Sequence, residues 1–205
     1  MKNIILITIL FFALLSCKAQ TPVVGLDAPT TTPSGAYFKD INNEFNKFEG
    51  TWVFTEGTTT FTVALEKKEM VYDGFKYYYD ELFGAYSYIT NGVEIVNTFP
   101  LITETETDLD NTRIGAPSII PNNLYVACND CLPNERRLQL YFSDPERPYL
   151  SVSIILRHIQ DADQFGQEAQ MTATIVSNGG GMIPNENSPT ELRVPYGEYL
   201  MVKQQ

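Results

Sequence analysis

The chain has 205 residues, 43% of them hydrophobic and 19% charged, with 12 Tyr and 12 Phe. This length and composition suit one globular domain with a sizeable core and exclude a disordered chain. A formal net charge of −11 repels phosphate backbones and anionic headgroups, which excludes nucleic acid as a partner and rules out membrane attachment through a basic patch.

The first element is an export signal over residues 1–16: Lys2, an apolar run from Ile4 to Leu15, and the small Ser16 before Cys17. The run is shorter than the roughly 20 apolar residues that span a bilayer, so removal is expected rather than anchoring. Leu14-Leu15-Ser16-Cys17 resembles the lipobox of bacterial lipoproteins. The resemblance implies cleavage before Cys17, a diacylglyceryl group on its thiol and acylation of the new amino terminus. The membrane is then a partner through the lipid anchor. The residues after Cys17 (Lys18, Ala19, Gln20, Thr21) carry no acidic cluster, which places the expected site in the bacterial envelope, on the outer membrane facing the periplasm.

Residues 17–36 read as the lipidated cysteine and an extended tether, with Pro22, Pro29, Pro33 and a Thr30-Thr31-Thr32 run. The folded domain is expected over 37–205. It opens with one short amphipathic helix, since Tyr37, Phe38, Ile41, Phe45 and Phe48 recur at helical spacing and Gly50 stops it. From there the period becomes alternating. Strands are expected at Thr51–Thr55, Thr58–Lys67, Tyr77–Asp80 and Leu82–Ile89, with a bulge or bend at Gly84. Asn91-Gly92 marks a hairpin into Val93–Val96. Ile102–Thr107, Leu124–Cys128, Leu138–Ser143, Leu150–His158, Gln170–Ser177 and Glu198–Val202 complete the set. Many short strands with frequent turn signals define an all-β, antiparallel barrel of about eight to ten strands.

Gly50-Thr51-Trp52 after a short helix resembles the G-x-W start of lipocalin-type barrels. The stretch Tyr78-Tyr79-Asp80-Glu81-Leu82 with Tyr86, Tyr88 and Asn91-Gly92 resembles the uncharacterised lipocalin-like lipoproteins of Gram-negative bacteria, which lack an assigned activity. The resemblance implies that Trp52, with Gly50, plugs the closed end of the barrel. It further implies that a late arginine, here Arg193, packs across Trp52.

Cys128 and Cys131 are candidates for a small disulfide across a turn, with free thiols and a redox pair as the other readings. Tyr77, Tyr79, Tyr86 and Tyr88 are candidate ligand contacts as well as candidate packing residues. His158, the only histidine, reads as a strand-end surface residue; catalysis would need a partner such as Asp161 or Asp163. Asp161 to Gly166 begins like a calcium loop but has Phe165 and Thr172 where ligands belong, and the carboxylates Glu104, Glu106, Asp108 and Asp110 read as the wet side of a strand. Gly179-Gly180-Gly181 reads as a loose loop. No catalytic residue, metal or cofactor is assigned. The protein is expected to be a non-enzymatic envelope lipoprotein holding a small apolar ligand in or on its barrel. The alternative is a protein- or glycan-interaction module, scaffold or inhibitor, whose barrel is filled by its own 24 Phe and Tyr (12 and 12).

Overall fold

The structure, a computed structural model, describes residues 21–29, 31–101, 113–121 and 126–204. The signal and Cys17, the strand expected at Ile102–Thr107 with the nearby carboxylates, and the start of Leu124–Cys128 lie outside these residues. The strands are β1 (Val23–Gly25), β2 (Tyr37–Lys39), β3 (Gly50–Glu56), β4 (Thr59–Tyr72), β5 (Tyr78–Thr90) and β6 (Val93–Asn97). They continue with β7 (Ile114–Ile120), β8 (Arg137–Phe142), β9 (Val152–Gln160), β10 (Gln170–Ser177) and β11 (Gly197–Lys203).

Eight of them, β3, β4, β5, β7, β8, β9, β10 and β11, pair antiparallel in a ring. The first joins the last through Val53 opposite Val202, and β5 meets β7 at Gly84 opposite Ile114. Closure pairs the backbone groups that an open meander would leave at its edges. One side of β5 runs along β4. Its other side is shared in succession by β2 in parallel at Tyr78 and Tyr79, β7 at Gly84, and β6 from Ser87 to Thr90. Asn91 and Gly92, with φ of 52° and 75°, turn β5 into β6 as their left-handed preference predicts.

Gly84 makes the seam feasible. A Cβ there would lie 2.0 Å from the Ala64 carbonyl oxygen. The ladder with β4 passes through Gly84 without a register shift; the expected bulge is instead a close approach of backbones. Bulges occur elsewhere, between Lys68 and Val71 and between Gly115 and Ser118.

The expected helix over Tyr37–Phe48 is corrected. Tyr37–Lys39 form β2 and only Phe45–Lys47 make one 3-10 turn. Asn43 is left-handed (φ 53°). The buried Asp40 carboxylate accepts the N–H groups of Glu44 and Phe45 at 2.8 and 2.9 Å, a local hydrogen bond that competes with helix. Ile41, assigned to the apolar face, is 60% exposed. The described part of the stretch read as tether also docks on the barrel. Pro22 accepts from the Tyr37 N–H (2.8 Å), Gly35 donates to Lys76 (2.8 Å), and β1 pairs with β2.

Alternation fills the interior. Phe61, Val63 and Leu65 of β4, Leu138, Leu140 and Phe142 of β8, and Val152, Ile154 and Leu156 of β9 belong to one buried cluster. Its aromatic members interlock: Tyr86 stacks on Phe142 at 4.4 Å, and Phe61 meets the edges of Tyr199, Tyr86 and Tyr88 at 5.0, 6.2 and 6.2 Å. Each buried aromatic or Leu/Ile side chain contributes on the order of 1.5–3 kcal/mol.

Candidate functional site

At the end of the barrel where β3 begins, Trp52 is fully buried. Its indole N–H donates to the Phe48 carbonyl at 2.7 Å, and the Lys203 ammonium lies 5.5 Å from the ring centroid. The cation across the tryptophan is therefore Lys203. Arg193, expected there, sits at the opposite end. There its guanidinium and backbone N–H bind the buried Asp144 carboxylate at 2.6–3.1 Å, and it also reaches Glu146 at 2.7 Å. The reason is register: Lys203 pairs with Trp52, while Arg193 precedes the start of β11. Burial alone would raise the Asp144 carboxyl; the Arg193 hydrogen bonds outweigh it and hold the group below the usual carboxylate range. Tyr86 ties the same end by donating its hydroxyl to the Ser143 carbonyl at 2.9 Å.

The tyrosines divide between two environments. Tyr86 and Tyr88 belong to the barrel core. Tyr77 and Tyr79 lie outside it against Phe38 of β2, edge-on at 5.2 Å and stacked at 4.8 Å, and Tyr77 donates to the Thr32 carbonyl at 3.1 Å. Packing uses all four rings.

A groove of about 250 Å³ lies on the outer face of β8 to β11. The outward residues Arg137, Ile155, Arg157, Thr172, Thr174 and Glu198 form its floor and sides, and residues 126–130 form a rim. Cys128 and Cys131 are disulfide-bonded across that rim. Asp130 anchors the rim to the wall through Arg157 at 2.7 Å, and the same guanidinium binds Glu135 at 2.5 Å. Hydrogen bonds from Arg157 hold the Glu135 and Asp130 carboxyls below their ordinary range. The head of Arg137 is buried, donates to the Val126 carbonyl at 2.9 Å, and is lowered by that burial while remaining a cation. The groove is thus lined by guanidinium, hydroxyl and carboxylate groups, with few apolar side chains among them.

The remaining candidates stand apart from it. His158 contacts the exposed Asp161 at 2.9 Å. Asp163 spends its carboxylate on the N–H groups of Phe165 and Gln167. Gly179 and Gly180 have positive φ in the exposed stretch before β11. Among the described residues, no group of three or more His, Cys, Asp and Glu side chains is placed to hold a metal ion, and no helix is long and apolar enough to cross a membrane. Sequence reading missed Arg137, Thr172 and Thr174. The available signal was strand parity, since each alternates with the core residues Leu138, Met171 and Ala173.

Fold and site together define a closed, eight-stranded antiparallel barrel protein whose core fills with aromatic side chains. The chain belongs to a family of unknown function, DUF6705, whose model matches residues 1–204. No curated protein and no solved structure matches it.

Proposed function

We propose that this is a non-enzymatic envelope protein, lipid-anchored through Cys17 to the outer membrane and facing the periplasm, which recognises a polar partner on the outside of its barrel. The observation that carries the reading is the packed interior. Phe61, Tyr86 and Phe142, each under 2% exposed, occupy the space in which a barrel of this size would hold an apolar cargo. The outer groove is the better binding surface. Its hydroxyls, carboxylates and guanidinium groups match the hydroxyl-rich edges of a saccharide, and Ile155 and Val126 supply apolar contact. At about 250 Å³ it takes one sugar unit of a longer glycan rather than a whole drug-sized molecule.

Calorimetric titration with soluble oligosaccharides tests this. Wild type binds, and Thr172→Val with Thr174→Val, which keeps side-chain volume and strand propensity, weakens binding about tenfold through two lost hydrogen bonds. Equal binding by the variant, or none by wild type, contradicts the reading.

A further inference from the structure

Phe75 and Phe165 are 91% and 86% exposed, and each sits at the tip of a hairpin. Both tips are built alike. Asp73 accepts the N–H groups of Phe75, Lys76 and Tyr77 at 2.7–3.0 Å, and Asp163 accepts those of Phe165 and Gln167 at 2.8 and 2.9 Å. An aspartate two residues before the ring thus fixes each turn, and the phenylalanine is held out into solvent. Two rigid turns presenting bare rings oppose the hydrophobic effect unless something apolar covers them.

The two hairpins turn at the same end of the barrel. β4 runs past the Leu65–Gly50 pair before turning into β5, and β9 turns into β10 where Gln170 faces Val202, the neighbour of Lys203 at Trp52. The described chain begins at this end too, at Thr21. Val23 pairs with Tyr37, Tyr37 pairs with Tyr78, and Gly35 donates to Lys76, the residue after Phe75. Thr21 therefore lies close to the first hairpin. Cys17 precedes it by four residues, at most ~14 Å of extended chain. A lipid on Cys17 would hold this end of the barrel against the bilayer.

We propose that the Trp52 end rests on the membrane surface, with Phe75 and Phe165 inserted at the headgroup–acyl boundary. The inference rests on the lipidation of Cys17 proposed above. A chain of net charge −11 gains nothing from anionic lipid, so the contact is apolar and should form on neutral phosphatidylcholine. Insertion fixes the barrel upright, with the Asp144–Arg193 end pointing away from the bilayer.

The test uses the exported, lipid-modified full protein in phosphatidylcholine vesicles, with Phe75→Trp, Phe165→Trp and, in the loop at the opposite end, Met182→Trp, itself 86% exposed. These exposed substitutions leave the core untouched, and wild type supplies the Trp52 background. Bromine-labelled phosphatidylcholine should quench the tryptophans at 75 and 165 about twofold more than that at 182, with a blue shift on vesicle binding. Equal quenching at all three positions overturns the inference, as does concentration-dependent burial of the rings without vesicles, which would assign them to a second copy of the chain. Vesicle flotation of wild type and Cys17→Ala separates the two ideas. Wild type that floats only with Cys17 intact, yet shows no quenching at the tips, sinks the inference and leaves the anchor standing. Flotation unaffected by Cys17→Ala sinks the anchor.

Discussion

Glu81 shows how one partly buried carboxyl can add its own slope to the pH response of the barrel. Burial, opposed weakly by a backbone hydrogen bond, pushes its carboxyl up to about 7 from an ordinary 4.5. Between those values the folded protein keeps a proton that the unfolded chain has released. Stability from this group therefore falls as pH rises from about 4.5 to about 7 and stays low above. Glu81→Gln should remove that slope. In urea titrations across this range, the variant gains on wild type as pH rises; parallel curves would contradict the assignment. Asp144 contributes with the opposite sign, since its lowered carboxyl stabilises the fold until acid protonates it, so the comparison with the variant is what isolates Glu81. None of this was legible in sequence, because burial of a strand carboxylate depends on what covers that face. The same limit explains Arg193 and Lys203. A late cation at Trp52 could be expected, but which one reaches it is fixed by the β11 register.

Among the elements, those with clean alternation were readable. β9, β10 and β11 lie close to their expected spans, whereas β4 begins where expected but runs on to Tyr72, beyond the stretch Phe61–Leu65 whose one face is buried. β5 reads as two strands in sequence because Glu81 interrupts the apolar run, yet it is continuous. β7 was missed for a physical reason. Gly115 and Pro117 argue against a strand, but Gly115 pairs with Tyr141, and Pro117 sits beside the left-handed Ala116 (φ 51°) in the bulge that follows, where no ladder pair is made. The misread helix has the converse cause: apolar spacing alone does not register that Asp40 and Asn43 break the backbone pattern. The seam offers a direct test of the element pairing. Gly84→Ala places a methyl against the Ala64 carbonyl and should cost about 3 kcal/mol or more, read as a lower urea midpoint. A variant as stable as wild type would show that the strands do not approach this closely.

For the molecule as a whole, composition and turn spacing carried the architecture, and the aromatic count carried the expectation of a filled barrel. They could not say where a partner would bind. The groove exists because side chains from four strands share one outward parity, and because the disulfide loop returns over them. That juxtaposition depends on the ring order β8, β9, β10, β11, which no local pattern encodes. The two phenylalanine tips were equally silent, each being a lone apolar residue in a polar turn. Recognition on the outside of the barrel, as proposed, rests on its packed interior, and native mass spectrometry of the protein purified from mild detergent tests that packing most directly. The mass should equal the polypeptide, with the acyl groups that the proposed lipidation of Cys17 would add, and nothing else. A further apolar molecule that stays bound under gentle conditions and is released by collisional activation would show that the barrel carries cargo.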